Sequence, residues 1–114
     1  MSKEGVKRWN ATLDAVFRPL ERFLDKRRRK KSFEQPFICG HGRDTLRYYE
    51  NGHYVEIEAE LMFGDLNRLI YRNYSLKWDD SEEVMSAVEA ESVMQKFCAE
   101  LDRKKIRWKF GDGV

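Results

Sequence analysis

The sequence predicts an α+β fold: an antiparallel sheet of four to five strands, with an N-terminal helix and a C-terminal helix packed on its apolar face. Three observations lead there. Apolar residues recur at three- and four-residue steps near both ends of the chain, which is the helical period. Asn51-Gly52 stands between two stretches that alternate apolar and polar residues, a strong signal for a two-residue hairpin turn. Ile106, Trp108 and Phe110 alternate with Arg107 and Lys109, as in a strand with one buried face. At 114 residues the chain is expected to be a single domain. Its parts are a helix over 1–31, antiparallel strands over 44–78, a helix over 86–104 and a terminal strand over 105–110.

In the first helix Val6, Trp9, Leu13, Val16, Phe17, Leu20, Phe23 and Leu24 form one apolar stripe. Pro19 lies inside it. Proline lacks the helical N–H and crowds the carbonyl four residues back, so a kink or short break is expected near Arg18. The stripe keeps phase across Pro19, which favours one bent helix over two. Pro36 biases Gln35 toward extended geometry, and Phe37-Ile38-Cys39 fits a short strand.

The hairpin is specified most tightly. A type I′ turn at Asn51-Gly52 pairs residues whose numbers sum to 103. One face then joins Tyr48 to Val55 and Leu46 to Ile57. The other joins Tyr49 to Tyr54, Arg47 to Glu56 and Thr45 to Glu58. A slip of one residue would destroy both patterns. The glutamates at alternate positions, Glu56, Glu58 and Glu60, thus point away from the core, onto a face expected to be open to solvent. Farther on, Leu69, Ile70 and Tyr71 suggest a strand, with a short fourth one around Leu76 and Trp78. Ser86 and Glu89 have capping-box spacing, with Asp80 and Glu83 as an earlier rival. Ala90, Val93, Met94, Phe97, Cys98 and Leu101 make the core stripe of the last helix, which ends near Lys104.

Composition narrows the function. The charged start "MSKEGVKRWN" has no apolar segment like that of a signal peptide, and no stretch is long enough to span a bilayer. A cytoplasmic protein with no membrane partner is the expectation. Cys39 and Cys98 match no metal or redox spacing and fit reduced thiols, though their separation in space leaves a disulfide open. The net charge of +2 divides unevenly, +5 over residues 1–57 and −3 over 58–114, and such a polarised surface points to partners.

Catalysis finds little support in the residues. The glutamate row has the spacing of glycosidase carboxylate pairs, but an exposed strand offers no burial to raise one pKa. Cys39, His41 and His53 lack the ligand spacing of a zinc site. There is no phosphate loop and no GxSxG nucleophile turn. No enzyme activity, cofactor or metal is expected. Recognition remains. Tyr49, Tyr54, Glu56, Glu58 and Glu60 would offer aromatic contact area beside carboxylates suited to a basic protein. The other candidate is the run Lys26, Arg27, Arg28, Arg29, Lys30 and Lys31, supported by Arg8, Arg18 and Arg22, as a patch for nucleic acid or another anionic partner. The same run also suits the negative end of a helix dipole. A homodimer through a sheet edge stays open.

From "TLRYYENGHYVEIEAELM" through "LIYRNYSLKWDD" to "IRWKF", residues 44–110 resemble small bacterial immunity proteins of polymorphic toxin systems, particularly the Immunity protein 74 family. The shared pattern is a Tyr-rich hairpin ending in Glu60-Leu61-Met62, an aliphatic–tryptophan unit, an acidic loop, a helix and a terminal strand. Ser75-Leu76-Lys77-Trp78 departs from it by placing the aliphatic residue two positions before the tryptophan. The resemblance implies a cytoplasmic protein that binds and neutralises a toxin domain without chemistry of its own. It carries no site residues across.

Overall fold

The computed structural model describes the backbone of residues 3–72 and 75–111, with side chains from residue 18 onward in those spans. The stripe positions Val6, Trp9, Leu13, Val16 and Phe17 therefore lie outside the described side chains. In chain order the elements are α1 (Lys3–Ser32), β1 (Phe37–Gly40), β2 (Thr45–Glu50), β3 (His53–Leu61), β4 (Arg68–Ile70), α2 (Ala87–Arg103) and β5 (Trp108–Phe110). The strands make one five-stranded sheet in the order β1-β2-β3-β4-β5. Pairing is antiparallel except between β4 and β5, where the connection through α2 returns the chain parallel to β4 at the sheet edge.

The hairpin forms as its sequence specifies. Asn51 and Gly52 have φ of 52° and 85°, the left-handed pair of a type I′ turn. Thr45 pairs with Glu58, Leu46 with Ile57, Arg47 with Glu56, Tyr48 with Val55 and Tyr49 with Tyr54. On one face, Ile38, Leu46, Tyr48, Val55, Ile57, Ala59 and Ile70 pack with Ala90, Val93, Phe97 and Leu101 of α2. Leu76, Trp78 and Met85 complete this core from the segment before α2. The expected strand around Leu76 and Trp78 is absent; both are buried from an irregular segment tied to β3 by Asp79 N–H donating to the Tyr54 carbonyl at 2.9 Å.

α2 begins at the Ser86 cap, whose Oγ accepts from Glu89 N–H at 3.1 Å. The rival cap is not used, and Asp80 Oδ1 instead lies 3.1 Å from His53 Nδ1. Glu89 does not complete the box; its Oε1 accepts from Trp78 Nε1 at 2.8 Å. At the far end Lys105 N–H donates to Asp102 O and Ile106 N–H to Leu101 O, a Schellman closure with Lys105 at φ 60°.

α1 departs from expectation in its packing. It runs through Pro19 without a break, as one helix. It does not lie on the apolar face beside α2. Its last two turns sit on the opposite face, so the sheet carries a helix on each side. The reason is in the contact residues. Asp25, Arg29 and Ser32 follow i, i+4, i+7 spacing, share one side of the helix, and bond to Tyr49, Asp79 and the hairpin turn. α2 and the segment before it already fill the apolar face. The molecule is accordingly long, 51 × 34 × 26 Å, with a radius of gyration of 16.8 Å against about 13 Å for a compact chain of this size.

Candidate partner-binding surface

β2 and β3 build the sheet face opposite α2. Alternation brings Thr45, Arg47 and Tyr49 to it from β2, and Tyr54, Glu56, Glu58 and Glu60 from β3. The face divides into two zones, because α1 covers only one end of it.

Under α1 the side chains are aromatic and charged. Tyr49 is fully buried, its ring stacked on Phe37 at 5.0 Å and tilted against Tyr54 at 5.2 Å. Its hydroxyl donates to Asp25 Oδ1 at 2.8 Å. Burial together with that bond pushes the phenol up to about 12. Arg29 joins the elements: it donates through Nε to Asp25 at 2.7 Å and through Nη2 to Asp79 at 2.6 Å. Burial disfavours the Arg29 cation, but its bonds to Asp25 and Asp79 outweigh this and its proton is held more tightly than usual. Burial likewise opposes the Asp25 carboxylate, and bonds from Arg29 and Tyr49 still leave its pKa below the usual value. Tyr54 is half-buried, with the guanidinium groups of Arg47 and Arg29 at 4.2 Å and 5.1 Å from its ring centroid. Ser32 closes the zone. Its Oγ accepts from Gly52 N–H at 2.8 Å and its carbonyl from Asn51 N–H at 3.2 Å, so the helix end grips the hairpin turn.

Beyond α1 the face is open. Glu56 is exposed and accepts from Arg47 Nε and Nη2 at 3.3 and 3.2 Å, the cross-strand pair that the register predicts. Glu58 is exposed and its carboxylate has no hydrogen bond or ion pair among the described residues. Glu60 is half-buried and accepts from Tyr71 Oη at 2.7 Å.

The five candidate residues thus share a face but not a condition. Glu56 and Glu58 are available, and Glu60 in part. Tyr49 is not exposed; it holds α1, and Tyr54 mostly does the same. A strand pattern tells which residues share a face; it cannot tell that a segment twenty residues upstream will cover two of them.

The basic run is divided as well. Consecutive helical residues turn by about 100°, so six of them encircle α1 and cannot form one stripe. Arg29 is bound to Asp25 and Asp79 and Arg28 is half-buried, while Lys26, Arg27, Lys30 and Lys31 are exposed. Lys31 lies 5.4 Å from the Phe37 ring centroid.

The sheet separates the thiols and the imidazoles. Cys39 belongs to the outer face, paired with Arg47, whereas Cys98 packs from α2 on the core side, and both are free. His41 approaches Arg47 and Glu56 on the outer face. His53 stacks on Trp78 on the other, with centroids 3.6 Å apart. Among the described residues no group of three or more His, Cys, Asp or Glu is placed to hold a metal ion. None of their helices is long and apolar enough to cross a membrane.

A groove of about 580 Å³, unanticipated in the sequence, runs between α2 and β5, lined by Met94, Cys98, Trp108 and Phe110 and edged by Arg72 and Asp102. Burial, then the Asp102 charge, pushes the Cys98 thiol up to about 11. Its only sequence signal was the alternation of Trp108 and Phe110, which names a buried face but not what it meets.

Comparison with models of protein families, with curated protein sequences and with solved structures finds no match to this chain.

Proposed function

We propose that this chain is a non-catalytic protein-binding module that offers the Glu56–Glu58–Glu60 row to a basic protein surface, in the manner of an immunity protein that neutralises a toxin. The observation that carries this reading is the division of the outer sheet face. α1 consumes the aromatic end in holding the fold together and leaves Glu56 and Glu58 in solvent on a rigid strand. A carboxylate row on a sheet costs little to organise, and it hastens encounter with a cationic partner. Its residues are neither in a cleft nor buried, which suits recognition rather than acid–base work. The resemblance of residues 44–110 to the immunity family supports the toxin as the class of partner.

The test is Glu58→Lys, alone and with Glu56→Lys, because the Glu58 carboxylate makes no bond that the fold needs. Tagged protein from its native host should co-purify with one dominant basic protein. Its Kd should rise at least about tenfold in the double variant. Binding unchanged by both substitutions removes the row from the interface.

A second reading takes the chain as a nucleic-acid-binding protein. Lys26, Arg27 and Lys30 favour it, since they are exposed and have no carboxylate partner among the described residues. It requires affinity that falls steeply with salt and a slope reduced in the Lys26/Arg27/Lys30 triple alanine variant.

A further inference from the structure

Among the described residues, the outer side of α1 is not the side that meets the sheet. Asp25, Arg29 and Ser32 define the side that holds the sheet. At 3.6 residues per turn, Leu20 and Phe23 lie about 140° and about 160° around the helix from Asp25. Both are exposed, by 49% and 57%. The sheet therefore holds α1 by its polar side and leaves apolar residues outward, the reverse of how an amphipathic helix meets a core.

The sequence extends this pattern. The spacing of Leu20 and Phe23 continues back through Val16, Leu13, Trp9 and Val6. Between Gly5 and Leu24 every charged residue falls at other positions: Lys7, Arg8, Asp14, Arg18, Glu21 and Arg22. Toward its C-terminus the outer side changes character. Arg27 and Lys30 lie about 160° and about 140° from Asp25, and the Arg27 guanidinium sits 5.7 Å from the Phe23 ring centroid.

Charge decides what could cover such a surface. α1 carries 11 Lys and Arg against 4 Asp and Glu, a net +7. A second copy would set two such helices side by side and repel. Nucleic acid would use the cations and leave the apolar positions in water. An anionic bilayer satisfies both: Phe and Leu side chains enter the boundary between headgroups and acyl chains, and Lys and Arg meet the headgroups. A helix lying in that plane needs no spanning length, so the lack of a spanning segment does not bear on it.

We propose that α1 is a membrane-surface helix. Its outer side, marked by Leu20, Phe23, Arg27 and Lys30, lies in the headgroup region of an anionic bilayer. The sheet and α2 are carried on the far side, held by Asp25, Arg29 and Ser32. This inference stands apart from the partner reading, because it uses no residue of the glutamate row.

Co-sedimentation of the full chain with vesicles tests it. The chain should pellet with phosphatidylcholine vesicles containing about one-third phosphatidylserine and stay in solution with phosphatidylcholine alone. Added salt should weaken the binding. Leu20→Glu with Phe23→Glu should reduce it at least about tenfold. Both positions are exposed, so the unfolding midpoint of that variant should match the parent. Lys26, Arg27 and Lys30 changed to alanine should weaken binding several-fold. Four results would overturn the proposal. One is no pelleting with the anionic vesicles. Another is pelleting that survives Leu20→Glu with Phe23→Glu. The third is a dimer in sedimentation velocity that this variant abolishes, which would assign the apolar side to a second copy. A nucleic-acid complex untouched by Leu20→Glu with Phe23→Glu, in a chain that ignores vesicles, counts against it equally.

Discussion

Tyr49 and Asp25 lie 24 positions apart in sequence, yet the tyrosine hydroxyl donates to the carboxylate at 2.8 Å beneath the last turns of α1. That bond joins the first helix to the middle of the sheet, and burial of the phenol together with the bond makes the docking of α1 sensitive to pH. Tyr49 titrates at about 12 in the fold against about 10 in an unfolded chain. A raised pKa contributes stability that is complete below the unfolded value and lost as pH rises through the folded one. Denaturant midpoints should therefore fall between about pH 10 and pH 12. Tyr49→Phe removes the bond at a cost of about 1 kcal/mol at neutral pH, and its midpoint should fall less over that alkaline range. An unchanged slope would show that the Tyr49 phenol is not held up by its burial and its bond to Asp25.

At the acid side the sign reverses. The Asp25 pKa is lowered, against burial, by its bonds from Arg29 and Tyr49. Its contribution is present above the unfolded carboxylate value near 4 and disappears as pH falls through the folded value. Asp25→Asn should weaken the fold at pH 7, and the parent should lose its advantage over the variant only in acid, as read from unfolding midpoints across the range.

Ser32 is buried, and its Oγ is the acceptor for Gly52 N–H. Ser32→Ala leaves that backbone donor without a partner at the hairpin turn, which should cost about 1–3 kcal/mol in chemical denaturation. Gly52→Ala tests the same junction from the other side. Gly52 has φ of 85°, and an added Cβ would come within 2.3 Å of the Phe33 ring. Phe33 is 68% exposed and its ring can swing aside, so most of the loss should come from the backbone. Adding Phe33→Ala should therefore restore little.

Lys105 adopts φ 60° at the Schellman closure of α2. A side chain in the left-handed region costs about 1–2 kcal/mol, partly offset for glycine by its freedom in the unfolded chain. Lys105→Gly should stabilise the fold by about 0.5–1 kcal/mol and raise the melting temperature by a few degrees. A lowered melting temperature would contradict the assignment of this helix end.

Burial raises the thiol pKa of both cysteines, to about 11 for Cys98, and each is therefore protonated at pH 7. Reaction with a thiol reagent at pH 7 should be at least about tenfold slower than in denaturant. No disulfide between Cys39 and Cys98 should form on oxidation of the folded chain, because the sheet lies between them.

Local chemistry determined much of this protein. The type I′ turn at Asn51-Gly52 set the register of β2 and β3, since only one alignment puts Leu46, Tyr48, Val55 and Ile57 on one side. Ser86 and the stripe ending at Leu101 likewise specified α2. These features depend on neighbours within a few residues, where backbone dihedrals and side-chain period act directly. The glutamates of the candidate surface were legible for the same reason. Which face α1 would take was not. An apolar stripe says that a helix has a hydrophobic side, but the contact that formed runs through Asp25, Arg29 and Ser32 to Tyr49, Asp79 and Gly52, groups far apart in sequence and joined by geometry alone. Those bonds need partners already placed by the sheet, so tertiary structure had to decide them. It buried Tyr49, bound Arg29 and left Leu20 and Phe23 of α1 facing outward.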